Sequence, residues 1–119
     1  MTTRRIPRDQ WVPFLDQFSR NHGGWLARVE VLGDQLGAQT EAANLPLLGV
    51  SADAKGKTHS IAVALGHHPA SHLTHEIEGV KELWLEEVDE RHETLQVASD
   101  SGVTTLLHVS LDDPTQIPS

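Results

Sequence analysis

Histidine is the residue type best placed to do chemistry in this chain. Eight occur among 119 residues, and His67, His68, His72 and His75 fall close together. Imidazole titrates near neutrality and is the commonest zinc ligand, so this segment is the first place to look for a metal centre or for acid/base work. The candidate metal ligands are His67, His68 and His72, with Glu76 beside them as an acid. A tetrahedral site needs three or four donors converging at about 2 Å. Leu73, Thr74 and Ile77, with Pro69 before and Gly79 after, instead favour a strand over 72–77, where successive side chains alternate between faces. His72 then shares a face with Thr74 and Glu76, while His75 joins Leu73 and Ile77. His67 and His68 fall in a turn that can fold back towards His72. The order His-x-x-His-Glu also departs from the His-Glu-x-x-His of zinc proteases. Solvated or structural histidines are the expectation, with no dedicated metal and no cofactor.

Carboxylates are the second candidate. From Glu76 to Glu93 there are eight acids against Lys81 and Arg91. On a strand, Glu82 and Glu86 share a face with Trp84 and Val88, opposite Leu83 and Leu85. Two acids beside an aromatic ring could bind a sugar or act as acid and base. The commoner outcome of this pattern is a solvated face whose charges block edge-to-edge pairing. Glu86 and Glu87 point apart and form no shared-proton dyad. Trp84 lies on the face that reads as exposed, where a tryptophan marks an interface. His72, His75, Glu76 and Trp84 are therefore the expected binding residues. No serine sits in a Gly-x-Ser-x-Gly elbow, and there is no Gly-x-Gly-x-x-Gly or phosphate loop, so no catalytic residue is assigned.

The elements that must position these groups are few. Trp11, Phe14, Leu15 and Phe18 fall at i, i+3, i+4 and i+7, predicting a helix over 7–20 with Asp9 as its cap and Pro13 in its first turn. Asn21-His22-Gly23-Gly24 ends it. The period then becomes two: Trp25, Ala27, Val29 and Val31 alternate with polar positions, predicting a strand. Further strands are predicted over 38–42, 47–52, 61–65, 72–77, 83–88, 94–98 and 103–109. They are separated by turns at 33–37, 53–57, 66–70 and 99–102, and a frayed tail follows from 111. The expected fold class is α+β: one N-terminal helix packed on an antiparallel meander of about six to eight short strands over 25–110, curled at most into a half-open barrel. Residues 1–119 read as a single domain.

Charge and composition exclude several functions. Net charge is −8: residues 1–28 carry five arginines against two aspartates, and the remainder carries four cations against fifteen acids. So acidic a body repels phosphate backbones, which speaks against nucleic acid. The short basic N-terminal arm finds its simplest use lying against the acidic sheet. With no cysteine, disulfides, thiolate metal sites and thiol catalysis are excluded. The longest apolar run, Ile61 to Leu65, is far too short to span a bilayer. A soluble cytoplasmic protein without a leader or membrane contact is expected.

Several stretches resemble one family. They are Ile6-Pro7-Arg8, Trp11, Phe14-Leu15-Asp16, Phe18-Ser19, His22-x-Gly24-Trp25-Leu26 and Glu30-Val31-Leu32-Gly33. Gly37-Ala38-Gln39, Leu45-Pro46-Leu47-x-Gly49, His72-Leu73-Thr74-His75 and Thr104-Thr105-Leu106-Leu107 complete the set. Together they are similar to a bacterial family known as domain of unknown function 5335, from about Ile6 to Val109. The resemblance implies a bacterial origin and one compact domain, and carries over no activity, cofactor, partner or functional residue.

These observations favour a non-catalytic binding or interaction module, acting as a homodimer through its sheet edges or Trp84 face, or with a protein partner. Two alternatives stand beside it: a metal-dependent or acid/base enzyme using the histidine-rich segment 67–76, and an acidic regulator masking a basic partner surface.

Overall fold

The computed structural model describes residues 2–33, 37–53, 59–68, 70 and 72–111. The turn centre at 34–36, the polar tip at 54–57, Pro69, Ser71 and the tail from 112 lie outside them. Among the described residues one helix packs on eight strands: β1 (Thr2–Ile6), α1 (Trp11–His22), β2 (Leu26–Gly33), β3 (Gly37–Asp53), β4 (Ser60–Leu65), β5 (Leu73–Ile77), β6 (Val80–Asp89), β7 (His92–Ser99) and β8 (Thr104–Ser110). Every pairing is antiparallel and the order across the sheet is β1-β6-β7-β8-β2-β3-β4-β5. The two ends do not pair with each other, so the sheet is half-open, and the α+β expectation holds.

The alternation of side chains sorts each strand into two faces. Leu85, Leu95, Leu107 and Val29 are register partners in one row across β6, β7, β8 and β2. All four are at most 4% exposed. They form the floor on which α1 sets down Trp11, Leu15, Phe18 and His22, all buried. One residue along, Arg5, Trp84, Gln96, Leu106 and Glu30 make a parallel row on the outer face. None of these five is buried.

Three elements differ from the sequence expectation. The helix is not capped by Asp9. A short 3-10 turn over Arg8–Gln10, closed by the Gln10 N–H to Pro7 O at 2.9 Å, precedes it, and α1 starts at Trp11. Its end also moves, to His22, because Gly24 (φ 85°) takes the left-handed position that would otherwise fall on Asn21 or His22. Residues 38–42 and 47–52 are not separate strands but parts of the 17-residue β3. Asn44 (φ 60°) bends the chain without ending the ladder. The first part of β3 pairs with β2 and the second with β4. Finally, the basic arm is an edge strand: β1 lies on the acidic β6, with Arg5 Nε 3.4 Å from Glu82 Oε2.

The helix is stitched to β3 by hydrogen bonds. The Ser19 hydroxyl accepts the Val50 N–H at 2.8 Å and faces the Leu15 and Val50 carbonyls at 2.8 and 2.9 Å. Gly24 N–H reaches Leu47 O, and Leu47 N–H reaches Trp25 O. Trp11 donates its indole N–H to Ile6 O at 2.9 Å, which ties the helix start to β1.

Candidate functional site

One face of α1 and the end of the β6–β7 hairpin enclose a cleft of about 420 Å³. Its helical wall is aromatic because Phe14, Phe18 and His22 are spaced i, i+4, i+8 and so lie one above another. Phe14 and Phe18 are 6.2 Å apart, His22 stacks on Phe18 at 4.1 Å, and Trp25 meets His22 edge-on at 4.5 Å. Arg4, from β1, places its guanidinium carbon 5.6 Å from the centre of Phe14, a cation–π contact. The opposite wall is Leu85, Glu87, Glu90 and Glu93.

Glu87 and Glu93 are direct cross-strand partners. Two carboxylates so placed repel unless one finds a counter-charge. His22 supplies it. Its Nδ1–H donates to Phe18 O at 2.8 Å, and its Nε2 lies 2.5 Å from Glu93 Oε2. A carbonyl can only accept, so the proton on Nδ1 is committed, and the second contact requires another proton between Nε2 and Oε2. One proton therefore lies between the ring and the carboxyl, whichever of the two holds it, in a pair whose side chains are only 7% and 17% exposed. Its net charge is zero. Beyond that pair the cleft holds Glu87 and Glu90 against Arg4, and neither acid makes an ion pair among the described residues.

The hairpin that carries these acids is held by its own aspartate. Asp89 Oδ1 accepts the Arg91 N–H and faces His92 Nδ1, both at 2.8 Å. These contacts, the His92 side chain first, hold the Asp89 carboxyl below the usual aspartate range.

The expected site residues fall elsewhere and scatter. His67 and His68 are exposed in the bend after β4, and His72 is exposed just before β5. His75 pairs with Val63, on the face of Leu73 and Ile77, and Glu76 pairs with Ala62 on the other, as strand alternation requires. Glu76 lines a separate acidic cleft with Asp53, His59, Glu78 and Asp100. There Gly79 (φ 64°) brings the backbone so close that a Cβ would sit 2.5 Å from Asp100 Oδ1. Trp84 is on β6, at the other end of the strand order from β5. Among the described residues no three histidines or acids converge in a way that could hold a metal ion.

Two polar groupings were not singled out from sequence. One is His22 with Glu93: Phe14 and Phe18 belong to the expected helical stripe, but His22 reads in sequence as part of the segment that ends the helix, and its carboxylate partner is 71 residues away. The other is on the outer face, where His108 bridges Thr94 Oγ1 (3.0 Å, through Nδ1) and Glu30 Oε1 (3.2 Å, through Nε2). A carboxylate accepts, so Nε2–H donates to Glu30, and in the neutral ring Nδ1 then accepts the Thr94 hydroxyl proton. Thr94 and His108 border a cleft of about 580 Å³ with Leu26, Arg28 and Val88.

The fold and this cleft define a small α+β domain whose half-open sheet holds one helix against its inner face. The chain belongs to the family described as a family of unknown function, DUF5335, whose model matches residues 2–119. It is 31% identical over 109 residues to an uncharacterized protein of Aquifex aeolicus (strain VF5), covering 92% of this chain and 93% of that protein. No solved structure matches. No helix of the described residues is long and apolar enough to cross a membrane.

Proposed function

We propose that this domain is a non-catalytic binding module whose helix–sheet cleft takes a cationic group, an ammonium or a guanidinium. The observation that carries the reading is Arg4. The chain's own guanidinium already rests on the Phe14 ring in a cleft whose far wall carries Glu87 and Glu90. An aromatic face and carboxylates attract the same ligand for the same electrostatic reason, and both are more effective where the wall excludes water. His22 has both ring nitrogens engaged, Nδ1 with Phe18 O and Nε2 with Glu93, so it orients a wall and is not free to move a substrate proton. This reading joins the binding module to the idea of an acidic regulator that masks a basic surface. A reducing, cytoplasmic setting belongs to the same proposal.

The shared chemistry has two sources, a small organic cation or a basic side chain of a partner. Agmatine and an arginine-rich peptide, titrated separately and followed by NMR, distinguish them. Either probe should shift resonances of Trp25 and Phe14, and the Glu87→Gln/Glu90→Gln variant should weaken that binding about tenfold. Shifts spread evenly over the acidic surface, or binding unchanged in the double variant, would refute the cleft.

The chain Thr94–His108–Glu30 supports a second, acid/base reading on residues other than 67–76, because in its neutral form, with Nε2–H given to Glu30, His108 turns Nδ1 as a base towards a hydroxyl. Hydrolysis of p-nitrophenyl acetate should then fall to the buffer rate in His108→Gln; equal rates in both proteins remove the reading.

A further inference from the structure

We infer that two copies of this chain associate through the outer face of the sheet, about a two-fold axis that runs along β7. The inference rests on a row already described: Arg5, Trp84, Gln96, Leu106 and Glu30, on five adjacent strands. The row reads as its own complement. It has a cation at one end and a carboxylate at the other, two large apolar side chains inside them, and an amide at the centre. Turning a second copy about the β7 direction sets Arg5 against Glu30 of that copy, Trp84 against its Leu106, and Gln96 against Gln96. An amide carries both donors and an acceptor, so it can pair with its own symmetry mate.

The neighbouring row obeys the same operator. Glu86, Thr94 and His108 are register partners on β6, β7 and β8. The rotation sets Glu86 against His108, while Thr94, on the axis, is buried and hydrogen-bonded to His108. Neither row brings like charges together, which an arbitrary surface of a chain with net charge −8 would do. This is the self-complementarity that an isologous contact demands.

The intramolecular contacts leave these groups able to respond. Arg5 touches Glu82 at 3.4 Å, but with side chains 59% and 39% exposed that pair holds the guanidinium only loosely. Glu30 gives one oxygen to His108. Trp84 is half-buried, and its indole N–H makes no hydrogen bond among the described residues. α1 packs on the opposite face, with Leu85, Leu95, Leu107 and Val29. Five strands at about 4.8 Å spacing, with two rows about 7 Å apart along the strands, make a patch roughly 20 Å by 14 Å, well below the ~800 Å² per partner of a standard interface. The dimer is therefore a weak one, with dissociation in the micromolar range or above, and independent of the helix–sheet cleft.

Sedimentation equilibrium of the full chain from about 10 μM to 1 mM tests this. The wild type should show a reversible monomer–dimer equilibrium. Gln96→Lys, an exposed position on the axis, places two ammonium groups together and should weaken association at least tenfold with an unchanged circular dichroism spectrum. Arg5→Glu should weaken it similarly, and Arg5→Glu/Glu30→Arg should restore it. A strict monomer at 1 mM overturns the inference. So does a dimer that Gln96→Lys leaves intact, or a native-like double variant that stays as weak as Arg5→Glu alone.

Discussion

Leu95 and Gln96 are neighbours on β7, share the same two partner strands and belong to the same ladders, yet they meet opposite fates. Leu95 is fully buried between Leu85 and Leu107, under α1. Gln96 lies between Trp84 and Leu106, on the face away from α1, and is exposed. The backbone makes no distinction between the two rows. What differs is the helix, which converts one face into a core and leaves the other to water or to another molecule. Inner and outer faces therefore divide the labour: the inner one supplies stability and, at its rim, the aromatic–acidic cleft, while the outer one supplies polar ladders.

The largest break in that comparison should come from the floor of the core. Leu95→Ala removes a fully buried side chain and should cost about 2–5 kcal/mol in urea unfolding, whereas Gln96→Ala should stay within about 0.5 kcal/mol. Comparable losses at the two sites would mean that the faces are not distinguished as described. A smaller effect is expected at the rim. His22→Leu keeps the packing between Phe18 and Trp25 but strands the Glu93 carboxylate opposite Glu87, at a cost of about 3 kcal/mol. Adding Glu93→Leu should recover most of it, because an apolar pair needs no partner. If the double variant is no better than the single, the stability resides in the ring packing and not in the shared proton.

The smallest effect belongs to the exposed hairpin. Asp89 has a lowered folded-state pKa, so it binds its proton more readily when unfolded. Its contribution is fully present above the unfolded value and is lost as pH falls through the lower, folded value. In a carboxylate NMR titration Asp89 should have a midpoint below the usual aspartate range. His92→Ala should bring it back towards that range, and an unmoved midpoint would show that the ring contact is not the cause.

Much of the fold was legible because period and punctuation agree with it. Glu82, Trp84 and Glu86 do stand opposite Leu83 and Leu85, and His75 does share its face with Ile77. The hairpin at 99–102 forms, with Gly102 at φ 87°. The β3 bend was not legible, since Asn44-Leu45-Pro46 interrupts the alternation as a turn would, and only the continued pairing shows one strand. The site was less legible still. The histidine-rich segment attracts attention by density, but a strand sends His75 and Glu76 to opposite faces, and nearness in sequence cannot overcome that.

Composition, charge and period by themselves determined an α+β fold, a buried helical stripe and an acidic sheet, because each follows from local chemistry repeated along the chain. Tertiary structure alone decided which histidine is set apart from the rest. His22 meets Glu93 only because α1 and the β6–β7 hairpin close on the same end of the sheet, and the short hydrogen bond between them has no trace in local sequence. The same holds for the rows across the sheet: their members come from five strands, and only the register puts Arg5 and Glu30 at opposite ends of one line.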